Sequence, residues 1–306
     1  MAVSPARNAK LTLPGLYIGF RGLRGLCSTA LPNSAITFGP QMLQRIRNSA
    51  RIRSARLFPG KIGRISISAP IATMSFDDFP RNAWTAGGEI VEAAGGRATY
   101  YVAGSFCGRT VDGIEYFSEG DLVEAHGRGH EIACHTFSHV ALPKHSRAAI
   151  DTELKRNAEF IRSATGQTDV TSFAYPYGSA SIRTKLMLKA RFVACRGIDP
   201  GINAGLADFS QLRAVCLEEH ILTTNPIKHL IEQTCSRNGW LVLVTHDVSH
   251  QPSPFGCTPK LLKETLSAIR SAGIELVTVK EALARIGAGK PSVPDLFERD
   301  QAFEHA

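Results

Sequence analysis

The sequence predicts an α/β fold in which parallel strands are covered by helices, as an open doubly wound sheet or as a barrel. Three observations carry this. From residue 66 onward, short apolar runs alternate with helical patterns. Several helices are marked by a capping residue at the start and a glycine at the stop. The length of 306 residues suits one α/β barrel, or one domain with an extension, and no internal repeat of fixed period is visible.

The elements follow in chain order. Residues 1–65 read as a basic, acid-poor extension: positions 1–76 hold 11 Lys and Arg and no Asp or Glu. Within it, 41–58 lies between Pro40 and Pro59-Gly60 and brings Met42, Leu43, Ile46, Ala50 and Leu57 near one helical face among arginines. That pattern is a basic amphipathic helix candidate, open to three readings: a transit-like segment, a membrane-surface or partner helix, or a variable, partly ordered extension. Strands are expected at 66–76, 98–103, 131–134, 170–174, 191–195, 240–245 and 274–279. Among the helices, one starts at Ser146 as N-cap, carries Ile150, Leu154 and Ile161 on one face and stops at Gly166. Another starts at Thr258-Pro259 and stops at Gly273. The main domain is set at 66–287, followed by a tail over 288–306.

Composition excludes several classes. With 43% hydrophobic and 20% charged residues the chain reads as an ordinary globule, and no apolar run reaches the roughly 18 residues of a spanning helix. The net charge of +8 comes from the extension; residues 77–306 hold 24 basic and all 27 acidic residues, so a nucleic-acid footprint on the main domain is not expected. The seven cysteines are scattered with no C-x-x-C pair, which suggests reduced thiols rather than a disulfide framework. With no apolar secretory signal, the expected compartment is cytoplasmic, while the extension leaves peripheral membrane association or targeting open.

Four clusters carry chemistry. Asp77 and Asp78, in Ser75-Phe76-Asp77-Asp78-Phe79-Pro80, end a β-rich run, where successive side chains point differently. His135 and His139, in His135-Thr136-Phe137-Ser138-His139, follow the 131–134 strand, and two imidazoles four apart can converge on one ion. Tyr175-Pro176-Tyr177-Gly178 breaks a strand end into a turn whose fixed backbone can aim an N–H at a developing oxyanion. His246, in Val244-Thr245-His246-Asp247, stands at the end of the 240–245 strand. Each alone also has a structural reading, as a turn, a chance histidine pair or a satisfied strand-end residue. Together they place polar chemistry at the carboxyl ends of four strands, where barrel active sites form.

The order S-F-D-D, H-T-F-S-H, Y-P-Y-G and V-T-H-D, closing on Gly273-Ile274-Glu275-Leu276-Val277-Thr278-Val279, resembles the polysaccharide deacetylase family with the NodB homology domain, carbohydrate esterase family four. The resemblance covers about residues 66–287. It implies a distorted (β/α) barrel of about seven parallel strands and a divalent metal, most often Zn2+, with Co2+ or Mn2+ as alternatives. By position, Asp78, His135 and His139 match the metal ligands, Asp77 the catalytic base, Tyr177 the residue whose backbone N–H stabilises the oxyanion, and His246 the general acid. The implied partner is an acetylated saccharide, from which N- or O-linked acetyl groups are removed. Hydrolysis of a non-sugar or cyclic amide on the same fold, and a non-catalytic carbohydrate-binding barrel, are the alternatives. Two departures stand out. The arginine that commonly opens the family's third motif is replaced by Ala174, with Arg196 a candidate substitute. The fourth motif has no clear match, with Asp199 a candidate remnant.

Overall fold

The protein's structure, a computed structural model, describes residues 54–219 and 224–288. Its strands are β1 (Ile62–Ile65), β2 (Ile71–Asp77), β3 (Thr99–Val102), β4 (Thr110–Val111), β5 (Ile114–Glu115), β6 (Glu131–Cys134), β7 (Ser172–Ala174), β8 (Ala194–Arg196), β9 (Gly205–Asp208), β10 (Val215–Cys216), β11 (Trp240–Thr245) and β12 (Glu275–Leu276). The helices are α1 (Glu89–Ala93), α2 (Glu119–Gly127), α3 (Arg147–Thr165), α4 (Ile182–Leu188), α5 (Thr224–Ser236), α6 (Pro259–Ser271) and α7 (Val279–Ile286).

The main sheet runs β10-β11-β2-β3-β6-β7-β8, every neighbouring pair parallel, and β12 pairs the first half of β2 while β3 takes the second half. The sheet curls into a distorted (β/α) barrel. Segment 209–216 links its two ends: Leu212 bridges β8 at Arg196, and β10 pairs β11. Because all strands run the same way, their carboxyl ends share one rim.

Outward-facing residues of β2 (Ala72, Met74, Phe76) pack against the helices, in a cluster with Val91, Leu122, Ile150, Leu154 and Leu262. α3 buries Ile150, Leu154, Ala158 and Ile161 under its Ser146 cap, each aliphatic chain contributing about 1.5–3 kcal/mol of burial. The amino end of the barrel is closed by α7, whose Val279 and Leu283 join Ile71, Trp240 and Val242. There the buried Glu131 accepts from Thr99, from Ser172 and from the Lys280 amide at 2.8 Å, which fixes the α7 N-terminus.

Several elements differ from the sequence expectation, and β1, β9 and β10 were not expected as strands. Of the strand expected over 66–76 only the part from Ile71 forms, as β2 (Ile71–Asp77): residues 66–70 are not strand and end at Pro70, which has no N–H to give a ladder, while β1 (Ile62–Ile65) lies before the expected run. The run expected as strand over 274–279 keeps only Glu275–Leu276, because Thr278 caps α7 through its hydroxyl. The hairpin β4–β5 was not foreseen, although Thr110-Val111-Asp112-Gly113-Ile114-Glu115 carries the Asp-Gly signal of a tight hairpin, with positive φ at both central residues.

Residues 54–65, counted with the extension by composition, pack on the barrel. Lys185 Nζ, fully buried, donates to the Ala55 carbonyl at 2.7 Å and pairs with Asp208 at 2.6 Å. Asp208 accepts from the Gly60 and Lys61 amides, and β1 pairs antiparallel with β9. Residues 54–57 are helical; the rest of the amphipathic candidate over 41–58 lies outside the described residues, as does most of the 288–306 tail. Among the described residues, no helix is long and apolar enough to cross a membrane.

Candidate active site

Asp77, Asp78, His135, His139, Tyr177 and His246 all line one cleft of about 1400 Å³ at the carboxyl rim. Each is delivered by a strand end. Asp77 is the last residue of β2, His135 follows β6, Tyr177 follows β7 and His246 follows β11. Of the seven non-glycine residues with positive φ among those described, five are Asp78, Phe79, Thr136, His139 and Tyr177. Such backbone persists only where its surroundings enforce it. At Phe79 the enforcement is packing: its buried ring lies 4.4 Å from Tyr100 and 4.9 Å from Phe117. The left-handed turn at Asp78 separates two adjacent carboxylates, one toward the histidines and one toward the barrel interior.

Asp78 Oδ1 lies 3.2 Å from His139 Nε2 and 3.5 Å from His135 Nε2, and ligand atoms of the three residues fall within 4.8 Å of one another. His135 Nδ1 donates to the Ala174 carbonyl at 2.8 Å, an oxygen that can only accept, so its Nε2 turns a lone pair toward Asp78. Burial holds His135 at about 3 and His139 at about 4, both neutral at physiological pH. Burial, reinforced by the neighbouring Asp77 charge, lifts Asp78 to about 7. The buried Oδ1 of Asp78 has no hydrogen-bond partner and lies beside two neutral imidazoles. An electron-rich set of one carboxylate and two imidazoles fits a divalent cation, and it is the donor composition of hydrolytic zinc sites.

Asp77 has a different environment. Burial alone would raise its carboxyl, but Arg196, His135 and His246 outweigh that and hold it below the usual carboxylate range. The Arg196 guanidinium, itself buried, forms an ion pair with Asp77, donates to the Gly197 carbonyl at 3.0 Å and lies 4.8 Å over the Tyr101 ring. Ala174 and Arg196 are direct register partners across β7 and β8. The cation missing at Ala174 thus comes from the adjacent position one strand over. Asp199 lies elsewhere: it pairs with Arg56 at 2.7 Å and accepts from Gln211, outside the cleft.

His246 donates from Nδ1 to the Phe255 carbonyl at 3.3 Å, with its Nε2 3.9 Å from Asp78 Oδ2. Two walls of the cleft were not read from the sequence. One is the β4–β5 hairpin, tied to the Asp77-Asp78 turn by a bridge between Pro80 and Tyr116. The other is the loop 249–255, whose Ser253 caps the buried Asp247 carboxylate through its amide and hydroxyl. The hairpin had a sequence signal in Asp112-Gly113; the loop had none.

A family profile described as polysaccharide deacetylase matches residues 66–192. Over these residues the chain is similar to the polysaccharide deacetylase family. The matched stretch includes Asp77, Asp78, His135, His139 and Tyr177 and ends before Arg196 and His246. A search of curated protein sequences finds no match. Among solved structures, similar folds include a T48 deacetylase with substrate (20% identity, TM-score 0.53, covering 74% of this chain and 96% of that one). Another is the family 4 acetyl xylan esterase of Clostridium thermocellum in complex with a cobalt ion (22%, 0.52, 73% and 95%). A third is the Xyl-CE4 domain of a multidomain xylanase from the hindgut metagenome of Trinervitermes trinervoides (18%, 0.51, 74% and 95%). At these identities the likeness shows the fold alone, a NodB-type barrel.

Proposed function

We propose that this protein is a metal-dependent hydrolase that removes N- or O-linked acetyl groups from a polysaccharide or oligosaccharide. The observation that carries the proposal is the convergence of an Asp78, His135 and His139 donor set, an ionised Asp77 and a tethered His246 on one open cleft. Asp78, His135 and His139 would hold the ion, most often zinc, which supplies Lewis-acid activation of water and of the acyl carbonyl.

The remaining work falls to the chain. Asp77, kept as a carboxylate by Arg196, accepts the proton of the attacking water. Tyr177, in left-handed backbone fixed between Pro176 and Gly178, presents its N–H to the oxygen that gains charge as the carbonyl is attacked. His246 gives its Nε2 proton to the departing nitrogen or oxygen, while the Phe255 carbonyl holds its Nδ1–H and hence the ring orientation. An amine cannot leave unprotonated, so this last transfer matters most for N-acetyl substrates.

The family resemblance, and an acetyl xylan esterase among the similar folds, support an acetylated saccharide as partner. Acetate release from acetylated chitooligosaccharides and acetylated xylooligosaccharides, before and after chelation and with zinc, cobalt or manganese restored, tests the reading. Release that is lost on chelation and restored by metal is expected. Ring opening of small cyclic amides without acetate release would move the activity to the non-sugar alternative.

A further inference from the structure

Ten large apolar side chains stand exposed among the described residues. Tyr177, Ile198 and Phe255 line the cleft, and Val123 lies on α2. The other six, Leu57, Phe58, Ile62, Ile182, Leu186 and Leu206, gather on one side of the barrel. Ile182 and Leu186 are one turn apart on α4, whose Lys185 fastens residues 54–61. Lys185 donates to the Ala55 carbonyl, and a Cβ at Gly60 would meet its side chain at 3.2 Å, so Leu57 and Phe58 fall between two points held against α4. In the β1–β9 ribbon Ile62 stands opposite Asp208 and Arg64 opposite Leu206, which puts all four side chains on one face, and Asp208 reaches Lys185 at 2.6 Å.

An exposed apolar patch rimmed by polar residues marks a surface of interaction, and the charge around this one selects the partner. Arg56, Arg64 and Arg183 are exposed among these residues, while Asp199 and Asp208 are already paired with Arg56 and Lys185. The chain reaches this side at Ser54 from residues 1–53, which hold eight Lys and Arg and no Asp or Glu. The basic amphipathic pattern over 41–58 ends on Leu57, whose side chain is 78% exposed. Cations around insertable aliphatic and aromatic chains match a bilayer with anionic headgroups, whose phosphates meet the arginines while the acyl boundary takes Leu and Phe. A nucleic acid offers the phosphates but nothing for the aliphatic chains. A second copy would set like charge against like.

We propose that residues 54–61, α4 and the β1–β9 ribbon form a docking surface for an anionic lipid bilayer, with Leu57 and Phe58 entering the boundary between headgroups and acyl chains. None of the six apolar residues lines the cleft, so docking here leaves the site itself untouched. The membrane contact is independent of the hydrolase chemistry and stands or falls separately from it.

The test is sedimentation of the full chain with vesicles of phosphatidylcholine alone, or with about one-third phosphatidylglycerol, at low and high salt. Binding to the anionic vesicles alone is expected, weakened about tenfold between roughly 0.05 and 0.5 M salt. The double variant Leu57→Ser with Phe58→Ser changes exposed side chains, so it should keep its melting temperature and bind about tenfold more weakly. Ile62→Ser with Leu206→Ser, outside the 41–58 pattern, should lose a similar factor. Phe58→Trp should bind like the wild type and shift its emission to the blue with anionic vesicles only, since Trp84 and Trp240 are buried. Equal sedimentation with both vesicle types, unchanged binding in either double variant, or no blue shift in Phe58→Trp overturns the proposal. So does a chain that ignores vesicles but binds single-stranded RNA in a salt-sensitive way, which would assign the basic stretch to nucleic acid.

Discussion

At the end of β2, Asp77 and Asp78 share a peptide bond and little else. Asp77 faces a buried guanidinium and is held ionised, whereas Asp78 faces two neutral imidazoles and is pushed up to about 7. Asp77→Asn should therefore keep the metal and lose about 10² to 10⁴ of turnover, because the proton acceptor goes while the donor set stays. Metal content and kcat measured on the same preparation decide it; parallel loss of metal would make Asp77 a ligand. The six site residues were legible in the sequence because each is a chemistry-bearing type at the end of an apolar run. The partnership of Arg196 with Asp77 was read from the sequence only as a candidate substitution. What places it is the register of β7 on β8, which sets Arg196 beside Ala174, and such non-local pairing leaves no trace in a single sequence.

At the scale of elements, residues 54–61 act as a strap. Lys185 and Asp208, both drawn into the barrel wall, bind the Ala55 carbonyl and the Gly60 and Lys61 amides, and Arg56 pairs with Asp199. The sequence boundary at 66 followed charge and composition, whereas the strap is held by backbone groups that composition does not report. A chain beginning at Lys61 loses the contacts of Ala55, Arg56 and Gly60, a loss of about 2 kcal/mol, and should melt roughly 4 to 8 °C lower. Its turnover at low temperature should persist, since no site residue lies in the strap. An unchanged melting temperature would show that the strap contributes nothing. Asp208 gives the same contacts a pH dependence. Burial opposes its ionisation, but hydrogen bonds from Lys185, Ser210 and the Lys61 amide outweigh that and lower its folded value. A depressed carboxylate stabilises above its unfolded value near 4 and loses that contribution as pH falls through the folded one. Denaturant unfolding of Asp208→Asn should thus show a deficit that is constant above about pH 5 and shrinks below pH 4. A deficit independent of pH would assign the effect to packing alone.

For the molecule as a whole, alternation of strands and helices from residue 66 announced an α/β fold, and the motif order narrowed it to a barrel. The closure itself was not legible: it depends on 209–216 bonding to β8 at one end and β11 at the other, over short strands with weak patterns. Nor was the depth of the cleft, which is built by a hairpin and a loop of ordinary composition. We propose that this barrel rim is a metal centre. Metal content of the purified wild type and of His139→Ala, by elemental analysis after equilibration with zinc and removal of excess, tests it most directly. One ion per wild-type chain, lost in the variant together with acetate release, is the expected result. A wild type that retains no ion, or a variant that retains it fully, would contradict the assignment of Asp78, His135 and His139.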